Sequence, residues 1–132
     1  SMANELMASQ TGKMVTVIQN RGIGEMLNPL IREIHLFDTY VAGTTHLEDN
    51  SVLDEIKIDD ELTLQRENNK FDQNAILLHT EQGKKLGYIP EKDNLVFARL
   101  MDAGKLLIAR IKSHELKGSF HQITIGIYLV DF

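Results

Sequence analysis

FHQITIGIYLV, residues 120–130, alternates Ile123, Ile125, Ile127 and Leu129 with Gln122, Thr124, Gly126 and Tyr128. Strict period two is the pattern of a strand with one buried face, because successive side chains leave the pleat on opposite sides. The preceding segment, KLLIARIKSHEL (105–116), sets Leu107, Ala109 and Ile111 against Ile108, Arg110 and Lys112 in the same rhythm. Working back through the chain, KLGYIP (85–90), NAILLHT (74–80), ELTLQRE (61–67) and FDTYVAG (37–43) are likewise rich in strand formers. EQGKK (81–85) joins two of these runs as a hairpin, since Gly83 can take a positive φ.

One helix interrupts the strands. After Pro90, EKDNLVFARLMDA carries Val96, Phe97, Leu100 and Met101 at helical spacing, with Gly104 placed to end it and Glu91 and Asp93 at its favourable N-terminal end. Six short strands and one helix predict a mainly β fold (α+β), a small closed or partly open barrel, because closure removes the edges that short strands otherwise expose. Residues 1–35 read as a partly ordered extension ahead of a domain at 36–132. Within it MVTVI (14–18) has strand character, Asn28 and Pro29 supply an N-cap and first turn for a short helix through LIREI, and GIG (22–24) is a turn.

At 132 residues without cysteine, the chain is the size of one domain and needs neither disulfides nor a thiolate metal site. Cysteine-free composition and the lack of a ~20-residue apolar run fit a cytoplasmic protein with no membrane partner. The net charge of −5 argues against indiscriminate polyanion binding, yet the acids are concentrated. Seven lie between Glu48 and Glu61 against Lys57 alone, so the remainder holds twelve acids against thirteen bases and can carry a local basic groove. The acidic segment itself reads as a solvated loop.

QRENNKFDQNAI, residues 65–76, surrounds Phe71 with Glu67, Asn68, Asn69, Asp72 and Gln73 between two apolar strands. An aromatic ring in a polar connection either tucks under the hairpin as a satellite of the core or stands open to receive a ligand.

Five pieces, YVAGTTH (40–46), LQREN (64–68), FDQNAI (71–76), LGYIP (86–90) and ARLMDAGK (98–105), together resemble the HIRAN domain over about residues 36–130. That family includes free-standing bacterial proteins and the N-terminal domains of eukaryotic fork-remodelling helicases. The resemblance implies a six-stranded OB-like or SH3-like barrel that binds DNA, through a pocket for the 3′ end of a single strand in the helicase members. Carried onto this chain, it implies that a base stacks on Phe71, that Asn69 makes a polar contact, and that Asp72 accepts from a free 3′ hydroxyl. An ionised carboxylate repels a continuing phosphate, which makes such a group an end detector. His46 is implied as the opposite wall, Tyr88 as a flat polar ring where the helicase members have histidine, and Phe120 as a further aromatic. Glu91 falls where those members place a phosphate-binding lysine, leaving Lys92 next to it. Arg66, Lys70, Lys84 and Lys85 are candidates for the surrounding positive field.

Each residue also has a plain structural reading. Asp72 and Asn74 suit Asx turns, Tyr88 can pin the barrel, Arg66 can pair with a neighbouring acid, Gly43 can serve a strand end, and His46 can be an ordinary loop histidine. No HExxH, Walker or GxSxG motif occurs, and the acidic run lacks the glycine and spacing of a calcium loop. The chain is therefore expected to be a non-enzymatic nucleic-acid-binding module without cofactor or metal. The alternatives are a module that docks a protein such as a helicase or nuclease through its acidic segment or N-terminal extension, and, third, a metal-dependent phosphoesterase built on Asp59, Asp60 or Asp72.

Overall fold

The computed structural model describes residues 31–131. It contains β1 (Arg32–Tyr40), a 3-10 turn (Thr44–His46), α1 (Val52–Glu55), β2 (Glu61–Arg66), β3 (Ile76–His79), β4 (Lys85–Tyr88), α2 (Asn94–Asp102), β5 (Leu107–Lys117) and β6 (Phe120–Asp131). All six expected strands form one sheet in the order β1-β6-β5-β2-β3-β4. β5 and β6 make the longest ladder, from Leu107 opposite Leu129 to Lys117 opposite Phe120. The β3–β4 hairpin turns at Gly83, whose φ is 81°.

Alternation places the core. Leu62 and Leu64 of β2, Ile76 and Leu78 of β3, Ile111 of β5 and Ile123, Ile125 and Ile127 of β6 are buried in one cluster. Removing a side chain of that size from water is worth roughly 1.5–3 kcal/mol. Phe97 and Ala98 of α2 close over this cluster, and Leu100 and Met101 pack against it.

The ladders leave the sheet open, with β1 and β4 as its two edges. Those edges nevertheless touch at one bridge. Ala42, just past β1, donates its N–H to the Tyr88 carbonyl at 2.8 Å and accepts from the Tyr88 N–H at 2.9 Å. Gly87 makes this approach possible: a Cβ there would lie 2.4 Å from the Ala42 carbonyl oxygen and 2.6 Å from Val41 Cγ1. The glycine of LGYIP is thus required by the meeting of two edges, and the result is a partly closed barrel.

Three expectations are corrected. The short helix through LIREI is not found, because the chain is already in β1 from Arg32. Val41 donates to the Ile123 carbonyl at the far end of this strand, and Glu33 and Asp38 pair with Arg110 and Lys112 of β5, so tertiary contacts override the local helix-start signal. Val96 is not a core residue of α2 but 57% exposed, and Asn94 is buried instead. The acidic segment is not wholly solvated: α1 forms inside it and buries Val52 and Leu53. The expected strand at 14–18, the Asn28–Pro29 cap and the GIG turn lie outside the described residues.

Candidate nucleic-acid interface

The connection from β2 to β3 is held by its own polar side chains. Asn69 Oδ1 accepts from the Phe71 N–H at 2.8 Å, and Asp72 Oδ1 accepts from the Asn74 N–H at 2.9 Å. These two Asx turns fix the backbone on either side of Phe71. Arg66, the last residue of β2, fastens the return limb by donating Nη1 to the Ala75 carbonyl and Nη2 to the Gln73 carbonyl. Its Nε and Nη2 also reach the two carboxylate oxygens of Asp102 at the end of α2. That ion pair holds the Asp102 carboxyl below the usual aspartate range.

With the backbone committed in this way, the apex ring has nothing to pack against. Phe71 is 85% exposed, the most open large apolar residue among those described. Lys70 Nζ stands 5.2 Å from its ring centroid, a cation–π arrangement at the loop tip.

Beside the loop, Ala42, Gly43, Asn69, Asp72, Ala75, Tyr88, Ile89 and Glu91 line a cavity of about 260 Å³. Asn69, Asp72 and Tyr88 therefore converge, although Tyr88 comes from a different strand and lies sixteen or more residues further along the chain. Asp72 is braced from below: its Oδ2 accepts from Asn94 Nδ2 at 2.8 Å, and Asn94 is only 2% exposed. Tyr88 donates its hydroxyl to Glu67 at 2.9 Å, while Glu67 also accepts from Asn69 Nδ2. Lys85 Nζ sits 4.7 Å from the Tyr88 ring and 3.3 Å from its hydroxyl oxygen. The arrangement offers carboxylate and amide acceptors in a shallow hollow, with the open Phe71 ring on the loop that supplies Asn69 and Asp72.

A family model for the HIRAN domain matches residues 34–130. The chain belongs to the HIRAN family. This is a nucleic-acid-binding family whose domain is not catalytic by itself. A crystal structure of a Lactobacillus plantarum protein superposes with a TM-score of 0.71 at 27% identity, covering 77% of this chain and 99% of that one. The crystal structure of the HIRAN domain of human HLTF superposes with a TM-score of 0.61 at 17% identity, covering 76% of this chain and 79% of that one. No curated protein is significantly similar in sequence.

In this HIRAN chain the remaining candidates stand apart from the hollow. His46 ends the 3-10 turn and lines a separate cavity of about 400 Å³ with Leu47, Glu48, Asp49, Lys84 and Lys85. Lys92 faces away, its Nζ 3.0 Å from Asp93 and 5.4 Å from the Tyr40 ring, so Glu91 rather than Lys92 lines the hollow. Burial works against ionisation of Asp93, but the Thr39 hydroxyl and Lys92 outweigh it and hold the carboxyl below its ordinary value. Phe120, half exposed, opens β6 opposite Lys117 and is not among the residues lining the hollow. Arg66 serves the loop backbone, and Lys84 is paired with Glu55.

Two contributors, Glu67 and Asn94, gave no signal in the sequence beyond their polarity, because their partners lie on other elements. Of the five histidines, His114 and His121 come together across the β5–β6 hairpin, Nε2 to Nδ1 at 2.8 Å. Burial and the neighbouring imidazole push His114 below the ordinary histidine range. Among the described residues, no three His, Asp or Glu side chains form a metal-holding cluster, and no helix is long and apolar enough to cross a membrane.

Proposed function

We propose that the β2–β3 loop and the hollow beside it bind the 3′ end of single-stranded DNA. The observation that carries this reading is Phe71, an open aromatic ring on a loop whose polar side chains are already committed to holding it there. A base stacked on such a ring gains roughly 1–3 kcal/mol without regard to sequence. Asn69 and Tyr88 supply polar contacts to the sugar, and Lys70 and Lys85 attract the backbone phosphates.

Asp72 reads the terminus in this proposal. Each of its oxygens already accepts one hydrogen bond, and a carboxylate has about four acceptor positions, so capacity remains for a 3′ hydroxyl. Glu91 shares the hollow and adds a second negative charge against a 3′ phosphate. The same charge weakens the grip on internal phosphates, so affinity is expected to be modest and to fall with salt less steeply than in a site with another lysine.

Fluorescence anisotropy with matched oligonucleotides tests the assignment. Strands ending in 3′ hydroxyl are expected to bind more tightly than those ending in 3′ phosphate, and Asp72→Asn should narrow the gap. Equal affinity for both ends in the native chain would remove the role given to Asp72. Retention of full affinity by Phe71→Ala would remove the site altogether.

A further inference from the structure

α2 has an outer face that the hollow does not use. Lys92, in the turn before the helix, precedes Leu95 and Val96 by three and four residues, and Arg99 follows them by four and three, so the adjacent pair lies between the two cations on one side of the helix. Leu95 and Val96 are 51% and 57% exposed, with Lys92 before them and Arg99 after them along the chain. Across from them stands Phe37 of β1, whose ring meets that of buried Phe97 at 5.9 Å. These side chains line a groove of about 520 Å³, within the ~300–1,000 Å³ range of ligand clefts.

We propose that this groove docks an acidic amphipathic helix of a partner protein. The partner's apolar residues lie between Phe37 and Val96, and its carboxylates meet Lys92 and Arg99. Charge selects the occupant: the lining carries two cations against one acid, and because Asp93 is held by Thr39 and Lys92, the uncompensated positive charge over the apolar floor is that of Arg99. The walls are aliphatic on one side, and the Phe37 ring is engaged with Phe97, so the surface suits side chains better than stacked bases. A second copy of this chain supplies no such segment from its acidic stretch, because Val52 and Leu53 there face inward.

The test uses the whole chain and a labelled helix-forming peptide with leucine at i, i+3, i+4 and i+7 and glutamate on its flanks. A matched peptide carrying lysine in place of glutamate serves as control. The acidic peptide is expected to bind saturably and at least roughly tenfold more tightly than the control. Val96→Asp, at an exposed site, should cost about tenfold or more for the acidic peptide while leaving the urea midpoint and oligonucleotide affinity unchanged. Lys92→Glu combined with Arg99→Glu should reverse the preference between peptides. Equal binding of the two peptides, or full binding by Val96→Asp, overturns the proposal. So does displacement of the peptide by an oligonucleotide, which would make the groove part of a nucleic-acid track. Sedimentation showing a dimer that Val96→Asp dissolves would assign the groove to a second copy instead.

Discussion

Two polar connections flank β2, and they treat their apolar residues in opposite ways. The segment before it, 47–60, is the most acidic in the chain, yet it turns Val52 and Leu53 into the core through α1. The segment after it, 67–75, is polar at seven of its nine positions and holds Phe71 in water. The difference lies in what the pinned backbone carries between its anchors: a turn of helix in the first, an irregular apex in the second. In the second loop Asn69, Asp72 and Arg66 spend their hydrogen bonds on the loop's own backbone, which fixes an apex that the core cannot reach. In the first, Asp49 and Asp60 likewise accept from the Ser51 and Lys57 N–H groups, but a turn of helix lies between those anchors and carries Val52 and Leu53 inward. An exposed aromatic ring is informative when the backbone beneath it is pinned.

The sharpest way to break this contrast is to place a charge at the equivalent positions. Val52→Asp puts a carboxylate where only 1% of the residue is accessible and is expected to cost about 3 kcal/mol or more, read as a lower urea midpoint. Phe71→Asp should change stability by no more than about 0.5 kcal/mol, since the native ring gains nothing from the core. A large loss there would mean that the ring is structural. Next in size is Arg66→Ala, which removes the Arg66 donor from the Gln73 carbonyl and leaves the Ala75 carbonyl with the Glu67 N–H. About 1–3 kcal/mol and faster amide exchange confined to 67–75 are expected, together with weaker oligonucleotide binding although Arg66 touches no ligand. Unchanged exchange in that loop would show that the Asx turns suffice.

The smallest effect sharpens the same point through pH. Arg66 holds the Asp102 carboxyl below 3.8, so the folded state binds a proton there less readily than the unfolded chain. The resulting contribution to stability is fully present above the ordinary aspartate value and is lost as pH falls through the lower folded value. The stability difference between the native chain and Arg66→Ala should therefore be constant near neutrality and shrink below about pH 3.8. Urea titrations at a series of acidic pH values would reveal a constant difference if the ion pair were immaterial.

The strands were legible because their information is local. Ile123, Ile125 and Ile127 announce a buried face by spacing alone, and EQGKK announces its own turn. The helix was legible too, but its register was less so: Val96 matches the apolar spacing as well as Phe97 does, and only the direction from which the sheet approaches separates them. β1 was misread at its start because Asn28 and Pro29 suggest a helix, whereas the partners that extend Arg32–Tyr40 lie some seventy residues away or more. For the candidate site, Asn69, Asp72 and Tyr88 were nameable and do converge. Glu67 and Asn94 were not, since each acquires its role from a side chain on another element. Lys92 illustrates the reverse failure, as one step along the chain from Glu91 sends its side chain to a different face.

Tyr88 fastens the barrel's rims with its backbone while its ring forms part of the hollow. If the hollow binds as proposed, a guest pressing on that ring also presses on the seam, and occupancy should slow deuterium uptake at the amides of Ala42 and Tyr88. The lock and the keyhole are one residue, and tightening either is felt by the other.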